Sequence, residues 1–365
     1  MKELFFDAAR FDAFRKTKRF GSLDGLRCLS VLAVLWHHSG LNVDCALFHR
    51  GQLGVHLFFA ISGFLITSLL IRESEQYGEI SLSKFYMRRS LRIFPLYYAV
   101  LLVYVIVVAV MEQGSSAGER FFGNLPAYAT YTSNWFVDLV SNDRVIFYFA
   151  WSLAVEEQFY LTWPWIERFA RPLTKMTLLF GLMGIVMANH FNLLHNILPA
   201  DSVGHRILWS IAPCILFGVL IAHLIHTRSG FAALNALFGR YWSAPTTLLT
   251  VVVVASIEPG GQIWEYVVYL CLAALVVSCV IREDNGLSRM LHLRPLVRMG
   301  TVSYGIYLMH MLCFNASRIL GAGIGVENAW ALWISGVLMT YIVAELSFAT
   351  FERYFQDRKS RLARS

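Results

Sequence analysis

The stretch "DGLRCLSVLAVLWHHSG", residues 24–40, is an apolar run with Arg27 near its start and His37 and His38 near its end. Its length approaches the roughly 20 apolar residues that an α-helix needs to cross the hydrocarbon core of a bilayer. The whole chain shares this character, since 57% of its 365 residues are hydrophobic and 15% are charged. Soluble domains carry about 25% charged residues, so we predict an all-α, polytopic membrane protein.

Apolar segments of this length recur along the chain and predict ten transmembrane helices. We place them near residues 23–41, 54–71, 93–112, 146–166, 174–192, 206–225, 243–258, 263–281, 299–319 and 327–349. The predicted organisation is an N-terminal segment over 1–22, a transmembrane domain over 23–350 and a basic tail over 351–365.

The basic residues predict the orientation. With ten spans, both termini lie on one side of the membrane, and the segments on that side carry 25 of the 31 lysines and arginines. Because basic residues collect in cytoplasmic loops, we predict that both termini are cytoplasmic. The same bias accounts for the net charge of +7, so nucleic acid is excluded as a partner.

Three further apolar stretches carry polar side chains. They are "HLFFAISGFLITSLL" (56–70) with Ser62 and Gly63, "KFYMRRSLRIFPLYY" (84–98) with Arg88, Arg89 and Arg92, and "FAWSLAVEEQFYLTWPW" (149–165) with Trp151, Ser152, Glu156, Glu157 and Gln158. A charge within a span is costly and by default faces the bundle interior, a pathway or a partner. Taken singly, Arg27 and the two histidines have a plainer interpretation as residues that reach the two membrane interfaces.

These motifs together resemble the acyltransferase-3 family of integral membrane acyltransferases. The resemblance rests on Arg27-x10-His38, "FFAISGF" (58–64), "FYMRRSLRIFPLY" (85–97), "WSLAVEEQFY" (151–160), "GTVSYGIYLMH" (300–310) and "AELSFATFERYF" (344–355), in the family's order. It implies a stand-alone acyltransferase in a bacterial cytoplasmic (inner) membrane. The implied reaction moves an acyl group, most often acetyl, from cytoplasmic acyl-CoA to a hydroxyl of an envelope or exported carbohydrate or glycolipid.

An alcohol needs a general base, and histidine suits neutral pH. His38 is the candidate base, because His37 does not fit the family spacing. Glu156 is the candidate carboxylate that orients it, with Glu157 in reserve. The alternative is that the glutamates form a buried ion pair with Arg27 or Arg89 that only fixes helix packing.

Arginines suit the donor, because guanidinium groups bind phosphate bidentately. The resemblance assigns Arg27, Arg88, Arg89 and Arg92 to acyl-CoA, which acts as a co-substrate; no permanently bound cofactor and no metal are expected. The alternative for the last three is simple positive-inside bias. Supporting roles around the cavity are expected for Asp24, Ser62, Trp151, Ser152, Glu157, Gln158, Tyr304 and His310.

Arg27 and His38 are eleven residues apart and so share one helix face, about 16 Å apart along the axis. We predict that this face lines a tunnel, in which the coenzyme arm enters past Arg27 and presents its thioester near His38. A rival hypothesis is a transporter of an acylated or phosphorylated solute, since buried charges also mark transport paths. The acyl chain, the acceptor and the oligomeric state do not follow from the sequence.

Overall fold

The computed structural model describes residues 2–17, 19–41, 43–139, 143–257 and 260–362, and over these ranges the chain is helical without β-strands. In chain order the helices are α1 Lys2–Lys16, α2 Gly21–His37, α3 Ala46–His49, α4 Leu53–Tyr77, α5 Leu82–Met111, α6 Ser116–Ala129, α7 Ser133–Phe136, α8 Ala150–Phe169, α9 Pro172–His190, α10 Val203–Ser210, α11 Pro213–Ile225, α12 Arg228–Phe238, α13 Ser243–Ser256, α14 Gln262–Ile281, α15 Ser288–Leu291, α16 Arg294–Thr301, α17 Ser303–Gly323, α18 Ala329–Ser347 and α19 Arg353–Leu362; a π-helix, Phe348–Glu352, joins the last two. Positions 1 and 18 of the predicted N-terminal segment, position 258 of the seventh predicted span and positions 363–365 of the tail lie outside the described residues.

Each of the ten segments predicted as spans contains a helix, so the helical character of these segments is confirmed. Five stretches are long and apolar enough to cross a membrane: Leu53–Tyr77, Leu82–Met111, Pro172–His190, Gln262–Ile281 and Ala329–Arg358. A sixth is added if α10 and α11 count as one broken span. Ten spans and cytoplasmic termini remain predictions.

Two of these helices differ from their predicted course for local reasons. The segment predicted at 206–225 breaks before Pro213, since the residue before a proline is biased away from helical geometry. Helix α5 begins at Leu82, well before the predicted residue 93. Its start is capped by Ser81, whose side chain accepts a hydrogen bond from the Lys84 amide. The basic motif that precedes the apolar run is therefore helical.

The chain forms two compact units, which are described separately. The first consists of Met1–Arg72 and Pro213–Ser347. Glycines let its helices meet backbone to backbone: a Cβ at Gly63 would lie 2.2 Å from the Ile215 carbonyl oxygen, and one at Gly218 would lie 2.3 Å from that of Ala60. Small residues at helix contacts give this close approach in membrane proteins. Helices α4 and α11 are thereby held together along one seam.

Helix α2 has its own close contacts within the first unit, where it packs against α15, α16 and α17. A Cβ at Gly25 would meet the Leu291 backbone, and one at Gly300 would meet the carbonyl of Asp24. The Trp333 indole also donates to the Leu35 carbonyl, at 3.2 Å. These contacts fix both ends of the helix that carries the Arg27-x10-His38 motif.

The second unit consists of Glu73–Ala212 and Phe348–Ser365. Its interior contains an aromatic cluster in which the rings of Tyr97 and Tyr131 stack at 4.3 Å and the hydroxyl of Tyr97 donates to the Tyr128 carbonyl at 2.7 Å. Pro95 lies inside α5 and Pro164 inside α8, and each removes one backbone donor from its helix. Helices α5 and α8 of this unit carry the predicted arginines and glutamates.

Candidate functional site

The predicted site residues fall into both units. The first unit holds Asp24, Arg27, His38, Ser62, Tyr304 and His310, and the second holds Arg88, Arg89, Arg92, Trp151, Ser152, Glu156, Glu157 and Gln158. Each group is described within its own unit.

Two histidines form the most specific arrangement of the first unit. His38 follows the last residue of α2, and its Nδ1 atom lies 2.9 Å from the carbonyl oxygen of Val34, one turn earlier. His310 lies on α17 and is fully buried. Its Nε2 atom lies 3.1 Å from Nδ1 of His38, and its Nδ1 atom lies 2.6 Å from the Tyr307 carbonyl oxygen. The two rings therefore share a hydrogen bond.

When both rings are neutral, these contacts favour one tautomer of each. A carbonyl oxygen only accepts, so Nδ1 of His310 carries a proton and donates it to Tyr307. In the neutral ring Nε2 of His310 is then an acceptor, and Nδ1 of His38 must supply the hydrogen that it accepts. That hydrogen also faces the Val34 carbonyl. The remaining nitrogen of His38, Nε2, carries the lone pair that a general base requires.

The neighbouring His37 has a different environment. Its side chain is exposed, while that of His38 is half-buried. A Cβ on Gly51 would lie 2.6 Å from Cβ of His37, so this residue packs against the connection that follows α3. The ring centroids of His37 and His38 are 5.0 Å apart. Of the two, His38 has the buried histidine partner.

The other end of α2 carries a small ion-pair cluster. Asp24 is buried; it accepts a hydrogen bond from Nε of Arg19 at 2.9 Å and lies 3.8 Å from the guanidinium of Arg27. The Arg27 side chain is 18% exposed, whereas that of Arg19 is 67% exposed. Asp24 thus connects the motif arginine with a surface arginine.

A cavity of about 560 Å³ opens at this end of α2. We call it the α2–α16 cavity, because α2 and α16 both begin in its wall. Its lining residues are Arg19, Gly21, Asp24, Glu283, His292, Arg294, Val297, Arg298 and Thr301. Of this set, only Asp24 belongs to the sequence motifs. No sequence spacing relates the N-terminal segment to the loop after α14, so the cavity could not be foreseen.

The arginine motif of the second unit lies on α5. Arg88 pairs with Glu73 at 2.9 Å, and Glu73 also accepts from the Ser81 amide at 2.9 Å. Arg88 therefore braces the start of α5. The guanidinium carbon of Arg89 lies 3.7 Å from the ring centroid of Tyr160 on α8, a stacked cation–π geometry.

Glu156 and Glu157 both interact electrostatically with Arg89. The buried ion pair considered from the sequence remains a prediction. Arg92 and Trp151 are half-buried. The Ser152 hydroxyl donates to the Phe149 carbonyl at 3.1 Å, so it satisfies the backbone of the preceding turn.

Gln158 ties three helices together. Its amide pairs reciprocally with that of Asn134, with distances of 2.8 and 3.0 Å, and its Nε2 also donates to the Tyr131 carbonyl at 2.8 Å. Asn134 donates in turn to the Ser210 hydroxyl at 2.9 Å. The network joins α8 to α7 and α10. Gln158 was predicted to support the wall of the substrate cavity. In the structure, its amide group hydrogen-bonds to Asn134 and to the Tyr131 carbonyl.

The two remaining predicted site residues, Ser62 and Tyr304, pack within helices of the first unit. Ser62 is buried next to Gly63 on α4, and Tyr304 is half-buried in the first turn of α17. Within the described ranges, no group of three or more His, Cys, Asp or Glu side chains could hold a metal ion. All six cysteines are free thiols, and Cys28, in the motif turn of α2, is buried.

Comparison with known families agrees with this distribution of motifs. A family model described as an acyltransferase domain matches residues 20–347. The chain belongs to the acyltransferase-3 family. No solved structure matches it.

Curated members of this acyltransferase family are similar along most of the chain. The peptidoglycan O-acetyltransferase OatA of Listeria monocytogenes is 30% identical over 362 residues, which cover 91% of this chain and 55% of OatA. The Bacillus subtilis protein YrhL, provisionally named a peptidoglycan O-acetyltransferase, is 28% identical, with 91% and 54% covered. This acyltransferase-3 chain therefore spans about half the length of the curated relatives it matches.

Proposed function

We propose that the chain is a membrane O-acyltransferase of the cell envelope that moves an acyl group, acetyl in the first instance, from cytoplasmic acyl-CoA to a carbohydrate hydroxyl. The names of OatA and YrhL support peptidoglycan as the first acceptor to test. The proposed location is the bacterial cytoplasmic membrane, with ten spans and both termini in the cytoplasm.

The observation that carries the proposal is the His38–His310 hydrogen bond. Because the Nδ1 hydrogen of His38 faces the Val34 carbonyl and Nε2 of His310, the Nε2 atom of His38 is the proposed base. In the proposed step, Nε2 takes the proton of the acceptor hydroxyl as the hydroxyl oxygen attacks the thioester carbonyl. The C–S bond then breaks, and the thiolate of CoA receives the proton from His38. The products are an ester and free CoA thiol, and the enzyme is unchanged.

His310 supplies the orienting partner that such a base requires. Its neutral ring accepts the Nδ1 hydrogen and leaves the base neutral before the reaction. Pairing of His38 with Glu156 or Glu157 remains a prediction from the family resemblance. The electrostatic interaction of the two glutamates with Arg89 supports a second role for them, which is to balance the charge of its guanidinium group.

The donor side of the proposal rests on the arginines. Arg27 would lie toward the cytoplasm, about 16 Å along α2 from His38. The arm of the coenzyme would bridge this distance while its nucleotide remains in the cytoplasm. Arg89 keeps its Nε atom buried without an acceptor among the described residues, and the basic motif lies in the first turns of α5. Both features support an anionic ligand near this motif.

The test uses the purified full chain in nanodiscs with acetyl-CoA and soluble peptidoglycan fragments. We expect release of CoA thiol that depends on the acceptor, together with a mass increase of one acetyl group on the glycan. A transporter of an acylated or phosphorylated solute would release no thiol. Mass spectrometry of envelope glycans from cells with and without the gene then identifies the acceptor. Unchanged glycans together with no thiol release would refute the proposal.

A further inference from the structure

The segment that follows the proposed base returns to the helix that carries the base. The Trp36 indole of α2 donates to the Phe48 carbonyl at 3.0 Å, and the two rings lie 4.6 Å apart. A Cβ at Gly51 would lie 2.6 Å from Cβ of His37, the last residue of α2. The segment therefore packs directly on the end of α2. We call it the α2–α4 connection, which consists of the described residues 38–41 and 43–52.

The α2–α4 connection and His310 hold the end of α2 from different sides. At 100° per residue, Trp36 and His37 lie about 160° and 100° around the helix from His38. Val34, whose carbonyl oxygen faces the His38 ring, lies only about 40° from it. His310 contacts the ring on this second side. A shift of the connection would therefore move His38 relative to His310.

A buried arginine anchors the connection. The Arg50 side chain is 6% exposed, and its Nη2 atom donates to Oε1 of Glu265 in the first turn of α14. Arg50 directly precedes Gly51, and its carbonyl accepts from the amide of Leu53 at 2.9 Å, where α4 begins. An unpaired buried charge is costly, so loss of the carboxylate would draw the guanidinium toward water. Gly51 would then leave its place on α2.

Glu265 lies at a fixed position on its helix. The neighbouring Trp264 indole donates to a carbonyl of α13 at 3.1 Å. One turn further along α14, the ring of Tyr269 lies 4.6 Å from the ring of His56 on α4. The first turn of a helix also favours a carboxylate, because its amide groups carry a partial positive charge. Helix α14 thus gives the connection a firm point of attachment.

We propose that Arg50 is a positioning residue for the transfer reaction. Through its ion pair with Glu265 it holds the α2–α4 connection against the end of α2, so that His38 keeps its hydrogen bond to His310. This inference rests on the proposed function, because it takes His38 to be the base. In this role neither member of the ion pair contacts substrate. Loss of the pair should therefore lower kcat and leave the KM for donor and acceptor unchanged.

The experiment measures thiol release from acetyl-CoA with soluble peptidoglycan fragments, using the full chain in nanodiscs at equal amounts of folded protein. Arg50→Met and Glu265→Gln should each lower kcat by up to about 100-fold, the effect of a misplacement of about 1 Å. Arg50→Lys keeps the charge and should recover most of kcat. The double variant should be no slower than the slower single variant, because both changes remove one interaction.

A native cysteine reports directly on the connection. Cys45 lies within it and is exposed, Cys271 is half-buried, and the other four cysteines are buried. In a Cys271→Ser background, a nitroxide on Cys45 should become more mobile by electron paramagnetic resonance in Arg50→Met and in Glu265→Gln. The matched control is Arg120→Met, which breaks an exposed ion pair with Asp143 in the second unit. It should change neither kcat nor the mobility of the nitroxide.

The outcomes separate this inference from the proposed function. Equal kcat in wild type, Arg50→Met and Glu265→Gln would overturn the inference and leave the acyltransferase intact. A fall in kcat without a change in nitroxide mobility, or additive losses in the double variant, would also overturn it. If Arg50→Met does not fold, Glu265→Gln decides, because its side chain is 34% exposed and tolerates a neutral amide. A wild type that releases no thiol would instead refute the proposed function.

Discussion

The Nε2 atom of His310 lies 3.1 Å from the Nδ1 atom of His38, at the point where α17 meets the end of α2. A neutral histidine in this place acts only as an acceptor, because its other nitrogen donates to Tyr307. His38 thus enters the proposed reaction as a neutral base with a defined tautomer. An orienting carboxylate would instead hold the imidazolium form more strongly once the proton has been taken.

Removal of the base should abolish transfer. His38→Ala should lower kcat by about 10² to 10⁴, the usual contribution of a general base, while CoA binding is retained. His37→Ala is the matched control, since it removes an exposed ring next to the same helix end. Thiol release from acetyl-CoA, with calorimetry for CoA, measures both. Near-normal turnover of a well-expressed His38→Ala protein would mean that histidine is not the base.

Changes at His310 should separate orientation from packing. His310→Leu removes the acceptor for Nδ1 of His38, and Val34 remains as an alternative acceptor. We expect kcat to fall by about 10- to 100-fold, by analogy with the loss of a residue that orients a metal-bound histidine, with donor and acceptor KM unchanged. His310→Gln keeps an acceptor oxygen and should recover part of kcat at equal thermal stability. If Gln and Leu are equally impaired, His310 acts only through packing.

The arginines of α5 should respond differently to lysine. Arg92→Lys should raise the KM for acetyl-CoA without loss of protein, since lysine lacks the bidentate fork. Arg89→Lys should also lower thermal stability, because it loses a stacking contact with Tyr160 worth about 0.5–2 kcal/mol. Tyr160→Leu removes the stack alone and should lower stability with donor KM unchanged. Unchanged donor kinetics in both lysine variants would mean that these arginines do not bind the donor and contribute only to the positive-inside bias.

The orientation of the chain in the membrane can be tested by labelling a native cysteine. Cys45 is exposed, and it lies in the connection that the ten-span topology places outside the cell. A membrane-impermeant maleimide should therefore label intact cells through Cys45, and Cys45→Ser should remove the signal. An Arg289→Cys substitution in that background should label only after the membrane is opened. Labelling of position 289 in intact cells would contradict cytoplasmic placement of this loop.

The helices were foreseeable because apolar runs of bilayer length leave the backbone few alternatives. The start of α5 was not, because the basic motif ahead of the apolar run reads as loop until the Ser81 cap is recognised. The side-chain partners were harder. His310 was predicted only to shape the cavity, and the amide pair of Gln158 with Asn134 was missed. Such partners depend on how helices pack, and sequence spacing carries no information about that.

The hydrogen bond between His38 and His310 joins residues that are 272 positions apart in the chain. At about 5–20 residues per second, a ribosome needs roughly 15 to 55 s to make the intervening segment. During that time α2 has left the ribosome, and α15, α16 and α17, which pack against it, do not yet exist. Until α17 is made, His38 lacks the histidine to which it hydrogen-bonds in the folded chain. Among the described helices, the one that carries the proposed base is thus made early and completed late.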